Sequence, residues 1–296
     1  MKLNEIHIRD PFILAYEGDY YMFGTPMDDF CGGSRGFWCM KSPDMKEWTG
    51  PTPCFVPDAD FWGERDFWAP EVHLYKDAFY MFATFMAEGC MRTVQILRSE
   101  RPDGPYEVWS CPVTPAEHMC LDGTLYVEDG CPYMVYCHEW LQVGTGEICM
   151  IPLKEDLKGP AGEPVTLFSA SEAGWAQPIS SRLIDGKPTI VTDGPCLWKE
   201  EGKLYMIWSS FHQGKYAMGY CVSESGRVEG PWTQHDDLVM EKDGGHGMIF
   251  ESFGGEKMLV LHQPNNAPLE RPRLFPVKVE AGCVKAYIQE YEEMNG

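Results

Sequence analysis

The stretch EGDYYMFGT at 17–25 joins a glycine turn to an apolar, strand-length run carrying an aromatic–Met pair. The same plan returns as KDAFYMFAT at 76–84, EDGCPYMVYC at 128–137, EEGKLYMIWSS at 200–210 and GGEKMLVLHQ at 254–263. Taking Met22, Met81, Met134, Met206 and Met258 as markers, the copies are spaced by 59, 53, 72 and 52 residues. Several copies are followed by a further strand with a Ser or a Gly-Pro turn, as in FWCMKSPDMKEWTGP (37–51), VQILRSERPDGPYEVW (94–109) and YAMGYCVSESGRVEGPW (216–232). A repeat of about 50 residues built of four short strands is the mark of a β-propeller blade. Helical periodicity is hard to find, whereas short runs rich in Tyr, Phe, Met and Val, broken by Gly, Asp or Pro, continue from end to end. The expected fold is all-β, a five-bladed β-propeller filling residues 1–296 as one domain. A β-sandwich with coincidental hairpins would not produce five similar units.

Composition narrows the function. Apolar residues make up 44% of the chain, enough for a substantial core, and 10 Trp and 14 Tyr accompany 15 Phe. Trp and Tyr suit stacking surfaces as well as cores. The formal charge is −21, from 45 acids against 24 bases. Nucleic acid binding needs basic residues to neutralise phosphates, so it is excluded as a leading reading, and a neutral or cationic ligand fits better. No stretch approaches the roughly 18 apolar residues of a membrane helix. Residues 1–5, MKLNE, lack the apolar core of a secretory signal, and twelve cysteines without a CxxC pair suit reduced, buried thiols. A cytoplasmic protein is therefore expected.

In a propeller the innermost strand of each blade lines a central channel, so residues at one end of those strands converge. Asp10, Asp122 and His246 each lie 12 residues before their Met marker, and Asp193 lies 13 before its own. In blade two the corresponding stretch is DFWAPEVHLY, with Glu71 ten before Met81. Most of these positions share a context of acid or His followed by Pro or Gly: RDPF, LDGT, TDGP, GHGM. Asp-Gly and Asp-Pro are also ordinary turn formers whose carboxylates cap backbone N–H groups. Acids recurring at the head of blades one, three and four favour a ring of carboxylates at one channel mouth.

Converging carboxyl groups can cleave a glycosidic bond. One stays ionised and activates water, another is protonated near neutral pH and donates to the leaving oxygen, and a third raises the acid's pKa by like-charge repulsion. The chain contains no GxSxG and no HExxH motif.

Through RDPFIL with Asp10, FWAPEV at 67–72, LDGTLYVEDGCPYMVY with Asp122, TDGPCLWKEEGKLYMIW with Asp193 and GGHGMIF at 244–250, the sequence resembles the glycoside hydrolases of family 43 over essentially its whole length. The resemblance implies a five-bladed propeller and an inverting enzyme that removes arabinofuranose, xylose or galactose units from plant cell-wall glycans, with no cofactor required. It implies Asp10 as general base, Asp122 as the residue that orients the acid and raises its pKa, and a general acid at the head of blade four. The family usually has Glu before Gly-Pro there, and this chain has Asp193, one methylene shorter. Three readings stay open: Asp193 is the acid, Glu139 in CHEW or Glu71 in WAPEV replaces it, or the protein binds sugar without cleaving it.

The resemblance also implies that His246 faces the channel and contacts a bound calcium or sodium ion or a water. A lone His is an atypical calcium ligand, because calcium prefers oxygen donors. Trp62, Phe67, Trp68 and Trp140 are candidates for sugar stacking, with core packing the alternative for Trp62 and Phe67. Arg271 or Arg273 is the candidate channel arginine, and His73, Gln263 and Asn265 are further residues near the site. The expected activity is exo-acting release of a terminal arabinofuranosyl or xylosyl unit from oligosaccharides inside the cell. A β-galactosidase or galactanase and a non-catalytic sugar-binding propeller are the alternatives. A glycoside phosphorylase would need a cationic phosphate pocket, for which the ring contexts offer few arginines. The segment FPVKVEAGCVKAYI is a candidate for pairing with the N-terminus.

Overall fold

The computed structural model describes residues 1–27 and 35–288. Five antiparallel four-stranded sheets follow one another along the chain, each with its strands in sequence order. Blade one is Ile8–Tyr16, Asp19–Pro26, Phe37–Ser42 and Thr49–Phe55. Blade two is Arg65–Tyr75, Ala78–Ala87, Cys90–Ser99 and Glu107–Val108. Blade three is Cys120–Glu128, Cys131–His138, Glu147–Pro152 and Val165–Ser169. Blade four is Asp193–Glu200, Lys203–His212, Lys215–Ser223 and Trp232–Gln234, and blade five is Gly245–Glu251, Lys257–Gln263, Arg271–Glu280 and Cys283–Ala286. This is the five-bladed β-propeller expected from the repeat.

The five Met markers all fall on second strands and are buried between blades. The turns before them in blades one, three and four, Glu17-Gly18, Asp129-Gly130 and Glu201-Gly202, have positive φ at both residues. Such two-residue turns match the right-handed twist of the flanking strands, which explains the glycine in these three copies. The one long marker spacing is accounted for by an extra hairpin, Ile179–Ile184 with Lys187–Thr189, between blades three and four.

Among the described residues, no strand is exchanged between blades five and one. The C-terminal segment, proposed to reach the N-terminus, pairs instead with itself as the two outer strands of blade five. Blades five and one are joined by side chains, including Arg271 to the Asn4 carbonyl and the Tyr20 hydroxyl accepting from Phe253 N–H. The physical reason is local: Ala281-Gly282 supplies a tight turn with φ of 51° and 82°, so the nearest strand partner is its own neighbour.

The first strand of every blade carries a β-bulge at one place. Asp10-Pro11, Ala69-Pro70, Asp122-Gly123, Gly194-Pro195 and His246-Gly247 each oppose a single residue of the second strand. The first residue of each pair is left-handed, with φ of 50°, 43°, 57°, 52° and 47° in that order. Each lies 12 residues before its Met marker. The ring position of blade two is thus Ala69, not Glu71, and that of blade four is Gly194, with Asp193 one residue earlier. Bulges re-aim side chains, and here they turn the ends of five strands toward the axis.

Candidate active site

Four of the five bulge residues direct their backbone N–H to a side chain of the preceding blade. Asp10 donates to His262 Nδ1 (3.2 Å), Ala69 to Thr25 Oγ1 (2.7 Å), Asp122 to Thr84 Oγ1 (3.1 Å) and His246 to Ser209 Oγ (2.8 Å). These four acceptors occupy one equivalent position on the second strands, paired with Gly245, Arg9, Trp68 and Asp193 respectively. In blade three that position is Cys137, paired with Leu121, and the Gly194 N–H donates instead to Asp122 Oδ2 at 3.0 Å.

The bulges open onto a cavity of about 380 Å³. Asp10, Asp122, Asp193, Glu139 and His246 face it, Trp68 and Trp140 form part of its wall, and Arg9, Arg92 and Arg182 supply its cations. His246 Nδ1 stands 3.2 Å from Asp10 Oδ1 and 3.7 Å from Asp122 Oδ2, between the two carboxylates. The Thr25 hydroxyl donates to Asp10 Oδ2 at 2.6 Å, and the Tyr216 hydroxyl to Asp193 Oδ2 at 2.9 Å.

These environments pull the acids apart. Burial raises Asp10, but the charges of His246 and Arg9 and the Thr25 hydroxyl outweigh it and hold the carboxyl at about 2. Burial pushes Asp122 up to about 8, with help from the Asp193 and Asp10 charges and against His246 and the Gly194 N–H. Asp193 also rises, chiefly through burial, against His246 and the Tyr216 hydrogen bond. Asp122 and Asp193 therefore act as a pair that retains a proton near neutral pH while Asp10 is ionised. His246 is raised because the surrounding carboxylates overcome its burial. His262 is the opposite case: burial pushes it down to about 3, so it is a neutral imidazole. Its Nδ1 accepts from Asp10 N–H, which places its proton on Nε2 facing Asn265 Oδ1 at 3.2 Å.

A second cluster builds the wall. The Arg92 guanidinium is held by Asp66 Oδ2 through Nε (3.1 Å) and Nη2 (2.8 Å), donates through Nη1 to Glu139, and lies 4.3 Å over the Trp68 ring. Burial raises the Glu139 carboxyl while Arg92 opposes the rise. Arg182, carried by the extra hairpin, sits 5.3 Å over Trp140. Arg9 is anchored by Asn265 Oδ1 at 3.1 Å with the buried Glu270 behind it.

Asp10, Asp122, Asp193, Glu139, Trp68, Trp140 and His246 are thus brought to one cavity. Glu71 is not on its lining; it is buried against His73 at 3.2 Å. Arg271 is spent on the carbonyls of Asn4, Pro268 and Glu270, and Gln263 on that of Lys242. Arg273 lies 5.9 Å over the Phe275 ring, and the cavity's arginines come from elsewhere. Trp62 donates to Gln95, and Phe67 packs in an aromatic cluster with Phe37, Phe61 and Phe85, so both belong to the core. Arg9, Arg92, Arg182 and Tyr216 escaped the sequence reading. Of these only Arg9, the residue before Asp10, carried a positional signal.

His246 Nδ1 faces the Asp10 and Asp122 carboxylates as a hydrogen-bonding partner, and an ion held beside this imidazole would draw most of its oxygen ligands from water. Among the described residues, the group of three potential ligand atoms within 4.8 Å is His138, Glu147 and Cys149, which excludes His246. No step of the chemistry below runs through a metal.

The family model for glycosyl hydrolases family 43 matches residues 4–278. An endo-arabinase structure from Bacteroides thetaiotaomicron VPI-5482 is 38% identical, with 96% of this chain and 98% of that chain covered and a TM-score of 0.88. A thermostable family-43 glycoside hydrolase is 25% identical over 97% and 96% of the two chains, with a TM-score of 0.82. An α-L-arabinanase of Cellvibrio cellulosa complexed with arabinohexaose shares the fold at 17% identity, over 97% and 98%, with a TM-score of 0.65. No curated protein matches the chain.

Proposed function

We propose, from the premise that this chain belongs to the glycosyl hydrolases of family 43, that it releases terminal arabinofuranosyl units from arabinan-type oligosaccharides with inversion. Membership makes it a glycoside hydrolase acting on oligosaccharides by acid–base chemistry. The observation that carries the mechanism is the division of one carboxyl cluster into an ionised Asp10 and a proton-holding Asp122–Asp193 pair.

Asp10, fixed by Thr25 and His246, accepts a proton from water as that water attacks the anomeric carbon. Asp193 gives its proton to the departing glycosidic oxygen. Water is consumed, the sugar leaves as the free hemiacetal and the remainder as an alcohol, and both carboxyls are reset by proton exchange with solvent. Burial and the Asp10 charge raise Asp193, and Asp122 shares the retained proton with it. Trp68 and Trp140 offer faces for the sugar rings.

Arabinose is favoured over xylose by the 38%-identical relative described as an endo-arabinase. Release from a chain end is favoured by the extra hairpin, whose Arg182 stacks on Trp140 and walls one side of the cavity. The same relative's name favours internal cleavage as the second reading. Every described cysteine is a free thiol, which suits work on imported fragments in a reducing compartment.

The test uses aryl α-L-arabinofuranoside, β-D-xyloside and β-D-galactoside beside linear arabino-oligosaccharides, with Asp10→Ala and Asp193→Ala as controls. Arabinose as the first product, lost in both variants, supports the proposal. Early release of longer oligosaccharides selects the endo reading, and xylose or galactose release overturns the arabinose assignment. Activity surviving Asp193→Ala moves the acid to Glu139.

A further inference from the structure

The ring of backbone donors is regular in four blades and broken in one. Thr25, Thr84, Ser209 and His262 each take the N–H of the next blade's bulge residue. Cys137 holds the equivalent position in blade three, fully buried, and a thiol sulfur is a weak acceptor. The Gly194 N–H that a hydroxyl would have accepted is directed 3.0 Å to Asp122 Oδ2. Burial, and then the nearby Asp122 and Asp193 charges, push the Cys137 thiol up, so it remains neutral and adds no charge to the site.

We propose that Cys137 is a positioning residue: by withholding a hydroxyl from Gly194 N–H it leaves that donor to Asp122, and so loosens Asp122's hold on the proton that it shares with Asp193.

A backbone N–H on a carboxylate favours its ionised form. The donor therefore works against the burial that raises Asp122 and leaves more of the shared proton to Asp193, the residue that must give it up. The other groups bearing on Asp122 are Asp193 from blade four, Asp10 from blade one and His246 from blade five. None of them is altered by changing the atom at position 137 from sulfur to oxygen. The argument rests on Asp193 being the acid, as proposed above.

The test compares Cys137→Ser with Cys137→Ala. The serine restores the acceptor found in the other blades, whereas the alanine offers none. In C137S, Gly194 N–H turns to the new hydroxyl, Asp122 takes more of the shared proton from Asp193, and kcat falls about tenfold. The high-pH limb of kcat moves upward by about one pH unit, because Asp122 without the Gly194 N–H holds the pair's last proton more tightly. C137A loses thermal stability but keeps its limb where the wild type has it, an outcome that simple loss of packing explains. A limb and kcat in C137S indistinguishable from those of the wild type overturn the proposal, as does an equal limb shift in C137A.

A readout independent of turnover separates this from failure of the proposed function. With 13C-labelled aspartate carboxyls, the Asp122 resonance of C137S titrates at higher pH than in the wild type. An unchanged midpoint overturns the proposal even in a protein that hydrolyses none of the substrates. Cys137→Thr, copying Thr25 and Thr84, serves as the second variant. Failure of both hydroxyl variants to fold, with C137A folded, also overturns it, because the position would then not accept what the other blades carry.

Discussion

The Tyr216 hydroxyl donates to Asp193 Oδ2 at 2.9 Å from a buried ring stacked 5.5 Å from His262. A shorter acid than the family's usual Glu has less reach, and this bond fixes where its carboxyl points. Tyr216→Phe leaves the stack but frees the carboxyl and removes a donor that favours its ionised form. The expected result is a fall in kcat of about tenfold to a hundredfold with KM nearly unchanged. The high-pH limb rises at the same time. Steady-state kinetics across pH check both, and an unchanged kcat would show that Asp193 is placed by something else.

Asp122 and Asp10 make opposite contributions to stability against pH. Asp122 rises from an ordinary 3.8 to about 8 on folding, so its contribution is fully present below about 4 and is lost as pH rises through 8. Asp10 falls from 3.8 to about 2, so its contribution is present above about 4 and is lost as pH falls through 2. Asp122→Asn should therefore melt higher than the wild type at pH 8 and lose that advantage at pH 5, while hydrolysing far more slowly. Thermal melts at both pH values test it; a constant difference would mean that Asp122 does not titrate in this window.

The propeller was legible because the second strand of each blade repeats a buried Met behind a turn, and both features leave a sequence trace. Asp10, Asp122 and His246 were legible for the same reason, each standing 12 residues before its marker. In blade two the acid, Glu71, stands off the constant offset, which selects Ala69, and in blade four the offset selects Gly194, with Asp193 reaching the cavity from one residue earlier. Arg92 and Arg182 left no trace. One lies on a third strand and the other on an inserted hairpin, and their roles arise from Trp68, Asp66, Glu139 and Trp140 meeting across blades. Tyr216 reads as core in sequence because its ring is core; only its hydroxyl reaches the site.

Arg92 is nearly buried and satisfies two carboxylates at once, Asp66 and Glu139. Arg92→Met leaves both without their cation and should cost about 3–5 kcal/mol in urea unfolding. Changing the partner as well, in Arg92→Met with Glu139→Gln, removes one of the stranded charges and should recover part of that loss. A double variant no more stable than the single one would show that Arg92 acts through its stacking on Trp68 and not through the ion pairs.

Gly194 meets two constraints together. Its φ is 52°, and a Cβ there would lie 2.6 Å from His246 Cδ2. Gly194→Ala must therefore move the imidazole that stands between Asp10 and Asp122. Asp10 then loses the largest of the influences holding it down, and the low-pH limb of kcat/KM should move upward. The rate itself should fall about a hundredfold, as misplacement of the base by an ångström would give. Gly18→Ala is the control, since Gly18 has φ of 86° but open space around its Cβ. It should lose about 1 kcal/mol of stability to backbone strain and keep its pH profile. A low-pH limb that stays in place in Gly194→Ala would show that His246 does not set the charge state of Asp10.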